Sequence, residues 1–168
     1  IGLPAYYNDE VIIPSLMSRG VTLEEARGYN IIGCVEPQVP GKTMGWHDAA
    51  FYNMCRVLEL VFTSGMDCGA QIGPKTQPVE EMTSFEELVE AYKTQMNYFI
   101  ELLVNADNAI DQAHAERMPL PYLASMVDDC IKRGKPCESG GCIYNFTGPQ
   151  GFGIANVADA LYAIKKLV

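Results

Sequence analysis

The residues best suited to chemistry lie in one short loop, Gly33-Cys34-Val35-Glu36-Pro37. We predict that residues 29–35 form a buried strand, because they are short, apolar and β-branched. Residues i and i+2 of an extended segment share a face, so the Cys34 thiol and the Glu36 carboxylate can reach one ligand. One group would then attack while the other moves a proton. The alternative is a buried structural cysteine beside a capping or ion-paired glutamate, since buried free cysteine is common.

Two further polar groups, His47 and Asp48, follow this loop. Apolar residues at helical spacing predict a helix from about Trp46 to Ser64, which places both side chains in its first turn. A carboxylate there is favoured by exposed backbone N–H groups and by the helix dipole. The alternatives are a plain first-turn acid and a histidine that is hydrogen-bonded in place.

The elements that must position these residues are mostly helical, with two short buried strands. Capping residues predict helices that begin after Asn8, at Thr22 to Glu25 and at Ser84 to Glu87. The remaining segments follow from proline, glycine and apolar spacing. We predict a stiff loop at 36–41, a loop at 65–78, a helix from 119 or 121 to 134, a strand at 142–147, a glycine-rich turn at 148–153 and a last helix up to 168.

Composition excludes several classes of function. The 168 residues include 12 Lys and Arg against 21 Asp and Glu, which gives a net charge of −9, and 48% of residues are hydrophobic. This balance is typical of a globular chain and argues against nucleic acid or an anionic membrane as the main partner. No apolar run approaches the roughly 20 residues that span a bilayer.

The cysteine pattern argues against a metal framework. The six cysteines include no Cys-x-x-Cys pair, so we predict no metal site and expect reduced, intracellular thiols. Apart from Cys34, they have no acid or base at useful spacing, and we interpret them as structural or surface thiols. They are Cys55, Cys68, Cys130, Cys137 and Cys142.

Beyond the five-residue motif, the chain resembles a known enzyme family. Gly33 to Pro37, continued through Gln38 to Phe51, is similar to the cysteine loop of glycyl radical enzymes, and most similar to their B12-independent glycerol and propanediol dehydratases. The likeness covers essentially the whole chain. Further matching segments are 8–14, 72–76, 107–108, 113–117, 119–129 and 144–151.

The resemblance implies an α/β fold in which ten strands form a barrel ringed by helices, with Cys34 on a loop inside it. Residues 1–168 would be a single central segment of the catalytic barrel domain, inactive by itself. It further implies a glycyl radical elsewhere in the parent protein, installed by an iron–sulfur, S-adenosylmethionine-dependent activating enzyme. This chain would bind no cofactor itself. We expect a homodimeric parent in an anaerobic cytoplasm or a microcompartment.

The resemblance also implies roles for three residues. Cys34 would carry a thiyl radical, Glu36 would act as a base, and Asp48 would hold the hydroxyls of a small vicinal diol such as glycerol or 1,2-propanediol. The product would be an aldehyde. In related enzymes the acid that protonates the leaving hydroxyl comes from the N-terminal half, so His47 is not assigned that role. Val35 stands where pyruvate formate-lyase has a second cysteine, which disfavours acyl transfer and favours dehydration or lyase chemistry with one thiol.

Three alternatives remain at this point. The first is another glycyl radical lyase, which would cleave a C–N or C–C bond. The second is a cysteine hydrolase that uses Cys34 with His47. The third is a non-catalytic helical module that exposes apolar surface to partners.

Overall fold

Helices dominate the architecture. The computed structural model describes residues 6–33, 35–46 and 48–167. Among these residues, no helix is both long and apolar enough to cross a membrane. In chain order the helices are α1 (Asp9–Ser18), α2 (Leu23–Arg27), α3 (Met54–Phe62), α4 (Phe85–Arg117), α5 (Pro121–Ala124), α6 (Cys130–Arg133) and α7 (Ile154–Leu167).

The three predicted helix starts are confirmed by their caps. The Asn8 side chain accepts a hydrogen bond from the Glu10 N–H at 3.0 Å. Thr22 Oγ1 accepts one from the Glu25 N–H at 3.3 Å and donates one to Glu25 Oε2 at 2.7 Å. At the start of α4, Ser84 Oγ accepts from the Glu87 N–H at 3.3 Å. Each cap satisfies a backbone donor that the helix itself leaves open.

The strands are short and pair in twos. In the described part of the chain, β1 with β2 and β5 with β6 are antiparallel, whereas β3 with β7 and β4 with β8 are parallel. Each sheet therefore has two open edges. The strands are β1 (Asn30–Ile32), β2 (Glu36–Gln38), β3 (Thr43–Trp46), β4 (Phe51–Asn53), β5 (Met66–Asp67), β6 (Ala70–Gln71), β7 (Tyr144–Thr147) and β8 (Gln150–Phe152).

The predicted helix from Trp46 to Ser64 is wrong in its N-terminal part, before Met54. Strands β3 and β4 occupy that region, and α3 begins only at Met54. Asn53 caps it, since its Oδ1 accepts from the Cys55 and Arg56 N–H groups at 3.0 and 3.2 Å. The apolar spacing was compatible with a helix, but pairing with β7 and β8 determines the local structure.

Other predicted segments also differ in the structure, and the predicted loop at 65–78 contains the β5–β6 pair. The predicted buried strand at 29–35 is only three residues long, and Ile32 is 53% exposed because its sheet has two strands. The predicted loop at 36–41 begins with β2, and the predicted turn at 148–153 contains β8. The predicted helix up to residue 134 is split into α5 and α6, although Gly134 does end α6 in a left-handed conformation.

The chain divides into two compact units. Unit 1 comprises the described residues within 1–47 and 110–148. It contains two small apolar cores. One lies among Leu16, Val21, Ala26 and Val39, and the other among Ala124, Cys130, Cys137 and Cys142.

Unit 2 comprises the described residues within 48–109 and 149–168. Its core is formed where α3, α7 and the first part of α4 present their apolar faces to one another. The strands β4 and β8 belong to the same unit and lead directly into α3 and α7. The buried core positions are Leu58, Val61, Leu88, Ala91 and Val157.

Candidate functional site

The described residues of the Gly33-to-Pro37 motif lie at the end of an antiparallel pair of strands, the β1–β2 hairpin. Strands β1 and β2 pair antiparallel with Ile32 opposite Glu36, so that residues 33–35 connect them. Gly33 has φ +62°, a left-handed conformation that glycine adopts at no steric cost. Cys34, the predicted radical carrier, lies outside the described residues, and its side-chain position remains a prediction.

The Glu36 carboxylate is buried and folded back over the hairpin loop. The residue is 8% exposed. Its Oε2 accepts a hydrogen bond from the Val35 N–H at 2.9 Å, and a Cβ added to Gly33 would lie 2.6 Å from the same oxygen. The carboxylate therefore lies against the residues on both sides of position 34. This placement suits a base that must act on a ligand at the loop.

The hairpin continues into a second anchored turn. Gln38, at the end of β2, and Thr43, at the start of β3, are 5% and 8% exposed. Thr43 Oγ1 lies 2.9 Å from Gln38 Oε1 and 3.0 Å from the Val39 carbonyl oxygen. The Thr43 hydroxyl has one hydrogen to donate and either acceptor is within reach, so a buried hydrogen bond holds the exit of the hairpin.

Glu25 connects that turn to α2 and β7 of unit 1 through hydrogen bonds. Its carboxylate accepts hydrogen bonds from Lys42 Nζ and from the Tyr144 hydroxyl, both at 2.5 Å, and from Thr22 at 2.7 Å. These donors favour the ionised form and lower the pKa of Glu25 to about 2. The sequence identified Glu25 only as a capping residue, since the partners Lys42 and Tyr144 are distant in the chain.

Asp48 lies in an exposed turn between β3 and β4. The prediction that it occupies the first turn of a helix is wrong, because α3 starts six residues later. Its Oδ1 instead accepts a hydrogen bond from Gln150 Nε2. Gln150 opens β8, and its backbone N–H donates to the Ala50 carbonyl oxygen at 2.7 Å.

Gln150 was missed as a site residue because its segment was predicted as a glycine-rich turn. His47, the neighbour of Asp48, lies outside the described residues. Glu36 belongs to unit 1 and Asp48 to unit 2, and the structure describes the surroundings of each within its own unit. Their joint action with Cys34 stays a prediction.

The five other cysteines occupy different environments. Cys68 is exposed, and the Cys55 thiol donates to the Gly153 carbonyl oxygen at 3.5 Å. Three further thiols meet in unit 1, which the irregular sequence spacing did not predict; they belong to Cys130, Cys137 and Cys142. Burial raises the pKa of two of them, Cys137 and Cys142, so these thiols are neutral at pH 7 and unsuited to act as thiolate nucleophiles.

Comparison with known proteins places the chain in a family. The family model described as pyruvate formate lyase-like matches residues 1–168. A (2S)-3-sulfopropanediol dehydratase from Klebsiella oxytoca is 40% identical over 99% of this chain and 20% of its own length.

Two solved structures superpose closely on the chain. The glycerol-bound B12-independent glycerol dehydratase from Clostridium butyricum has a TM-score of 0.95 and 65% identity, over 99% of this chain and 21% of that chain. A structure concerning 1,2-propanediol dehydration in Roseburia inulinivorans has a TM-score of 0.95 and 70% identity, over 100% of this chain and 21% of that chain. This chain therefore spans about a fifth of the length of these relatives.

Proposed function

The chain belongs to the pyruvate formate lyase-like family, and on that premise we propose that it is part of a glycyl radical dehydratase. The proposed reaction removes water from a small vicinal diol, such as glycerol or 1,2-propanediol, and yields an aldehyde. One observation carries the choice of substrate. The sequence is far more similar to the glycerol and propanediol dehydratase structures than to the sulfopropanediol dehydratase.

The full-length parent enzyme supplies the rest of the barrel and the stored radical. We propose a ten-stranded barrel to which the short strands contribute, and the open edges of the two-stranded sheets support this idea. A glycine elsewhere in the parent stores the radical, which a separate iron–sulfur, S-adenosylmethionine-dependent enzyme installs. That stored radical provides the oxidising equivalent that generates a thiyl on Cys34. The parent is proposed to be a homodimer.

Cys34 and Glu36 carry the first half of the reaction. The Cys34 thiyl removes a hydrogen atom from the carbinol C–H of the diol, because S–H and activated C–H bonds are of similar strength. The resulting carbon radical makes the adjacent hydroxyl far more acidic. Glu36 then accepts that proton, and its buried carboxylate held against the loop supports this role.

Asp48 holds the substrate while the neighbouring hydroxyl leaves. An exposed carboxylate can accept hydrogen bonds from vicinal hydroxyls, and Gln150 orients one of its oxygens. The departing hydroxyl takes a proton from an acid outside this chain and leaves as water. The Cys34 thiol returns its hydrogen atom to the product radical, which gives the aldehyde and regenerates the thiyl.

The decisive experiment uses the full-length protein that carries this chain, activated anaerobically. Wild-type protein is expected to convert glycerol or 1,2-propanediol to an aldehyde. Cys34→Ser is expected to abolish turnover while the glycyl radical signal in electron paramagnetic resonance persists. Cys68→Ser, which removes an exposed thiol, serves as the control and should keep full activity.

Aldehyde formation by the Cys34→Ser enzyme would overturn the proposed radical role of this residue. Turnover of neither diol by an enzyme that does hold the glycyl radical would overturn the substrate assignment, and would favour a lyase that cleaves a C–N or C–C bond.

A further inference from the structure

Three buried thiols converge in unit 1, away from the hairpin loop in sequence. The Sγ atoms of Cys130 and Cys137 are 3.7 Å apart, and those of Cys130 and Cys142 are 4.0 Å apart. All three Sγ atoms lie within 4.8 Å of one another. The residues are at most 3% exposed. Three sulfur atoms therefore surround one point inside the protein.

The local backbone is shaped to bring these thiols together. After α6, Gly134 turns the chain with φ +63°, and the Lys135 N–H donates to the Cys130 carbonyl oxygen at 3.1 Å. The Gly141 N–H donates to the Pro136 carbonyl oxygen at 3.0 Å and closes the loop. A Cβ on Gly141 would lie 2.2 Å from the Lys135 oxygen and 2.9 Å from Cys130 Sγ, so a larger residue would displace a thiol.

Two of the sulfur spacings, 3.7 and 4.0 Å, match the coordination shell of a thiophilic cation, and the third is at most 4.8 Å. Zinc–sulfur bonds of about 2.3 Å in a tetrahedral site place the sulfur atoms about 3.8 Å apart. Thiolates are soft ligands that select zinc over magnesium or calcium. We infer that Cys130, Cys137 and Cys142 form a three-thiolate binding site for Zn²⁺.

Charge and access are compatible with this site. Three thiolates and one divalent cation leave a single negative charge. The Arg133 guanidinium donates to the Cys142 carbonyl oxygen at 3.1 Å, and its other nitrogen is ion-paired with Asp129 at 2.9 Å. A cavity of about 400 Å³ reaches Cys130 between Pro121, Ser125 and Lys135. Cys130 lines this cavity and Cys137 and Cys142 do not, so zinc would enter from the Cys130 side of the cluster.

This inference is independent of the proposed dehydratase function, and it replaces the expectation from the sequence that no metal binds. The spacing of Cys130, Cys137 and Cys142 matches no metal-binding motif, so the sequence alone did not predict the site. Two turns of the backbone are needed to bring the three thiols into contact. Zinc binding would link α6, through Cys130, to Cys137 in the segment after it and to Cys142, two residues before β7.

The test is a zinc titration of the protein, prepared anaerobically with a phosphine reductant and freed of metal with a chelator. In competition with a chromophoric chelator, one Zn²⁺ is expected to bind per chain. Replacement of zinc by Co²⁺ should give the thiolate-to-cobalt charge-transfer bands of a sulfur-rich tetrahedral site. Bound zinc should slow alkylation of the three clustered cysteines, but not that of exposed Cys68.

Substitution of single cysteines tests which thiols bind zinc. Cys130→Ser and Cys142→Ser should each weaken zinc binding more than about 100-fold, since loss of an outer-shell partner alone costs roughly 10- to 100-fold. Cys68→Ser should bind zinc as the wild type does. The inference is overturned if the unmodified protein gives no thiolate-to-cobalt bands, a result that does not depend on how the variants fold. It is also overturned if folded Cys130→Ser or Cys142→Ser protein retains wild-type zinc affinity.

Discussion

The two carboxylates proposed to act on the substrate are held in contrasting ways. Glu36 is 8% exposed, accepts a hydrogen bond from the Val35 backbone and lies over Gly33. Asp48 is exposed and accepts its hydrogen bond from the Gln150 side chain, which is more than 100 residues away in the chain. The first is fixed by its own hairpin, and the second depends on a strand that pairs from elsewhere.

The different surroundings of the two carboxylates suit their different proposed roles, a base and a substrate-binding group. A base must be in place before its proton becomes acidic, so backbone contacts within a tight loop suit it. A residue that holds hydroxyls must meet a ligand that enters and leaves, so an exposed oxygen suits it. Substitutions at the two carboxylates should therefore affect different kinetic constants.

Of the two carboxylates, Glu36 should show the larger effect, measured with Glu36→Gln in the activated full-length enzyme. Removal of the base should lower kcat by roughly 10²- to 10⁴-fold, because an amide cannot accept the hydroxyl proton. The glycyl radical signal should remain. Glu24→Gln, an exposed glutamate of the same unit, is the control. A kcat near the wild-type value would remove Glu36 from the mechanism.

Asp48→Asn should have a smaller effect and a different kinetic signature. Hydrogen bonds to charged groups contribute about 1.5–3 kcal/mol, so kcat/KM should fall roughly 10- to 100-fold, mainly through a higher KM. Steady-state kinetics with glycerol and 1,2-propanediol measure this. Asp159→Asn alters an exposed carboxylate of unit 2 and should change nothing. A loss confined to kcat would contradict a role in holding the substrate.

Gly33→Ala isolates the contribution of the hairpin to the placement of Glu36. Both Gly33 (φ +62°) and Gly41 (φ +70°) are left-handed, which costs alanine about 1–2 kcal/mol, but only at Gly33 would the new Cβ meet a carboxylate. Gly41→Ala is therefore the matched control. Both variants should inactivate faster on heating, whereas only Gly33→Ala should also lower kcat. Equal kcat values in the two variants would refute the steric argument.

The smallest effect concerns Glu25, a third carboxylate with no proposed part in the chemistry. Its pKa of about 2 lies below its ordinary value of 4.5, so its ion pair stabilises the fold above that value. That contribution should disappear as the pH falls from about 4.5 through about 2. Acid unfolding followed by circular dichroism should therefore show a weaker pH dependence for Glu25→Gln. An unchanged acid transition would show that the network contributes little.

Sequence predicted the features that depend on near neighbours. The caps at Asn8, Thr22 and Ser84 were identified because donor and acceptor lie within three residues. The hairpin motif was also recognisable, since its residue types are contiguous. The family resemblance, which the family match confirms, came from the same local motif and its continuation.

Features that depend on distant neighbours were missed. The segment around Asp48 has helical apolar spacing, but the partner strands β7 and β8 lie about a hundred residues away. For the same reason Gln150 and the Lys42–Glu25–Tyr144 network had no sequence signal. The three-thiol cluster was missed because its spacing matches no familiar ligand pattern.

The parallel pairing of β3 with β7 also has a consequence for how the polypeptide is made. Thr43 leaves the ribosome about a hundred residues before its partner Tyr144. At synthesis rates of roughly 5–20 residues per second, the first strand waits about 5–20 s for the second. During that interval the backbone donors and acceptors that β3 later shares with β7 remain without those partners, so this part of unit 1 forms only after most of the chain has been synthesised.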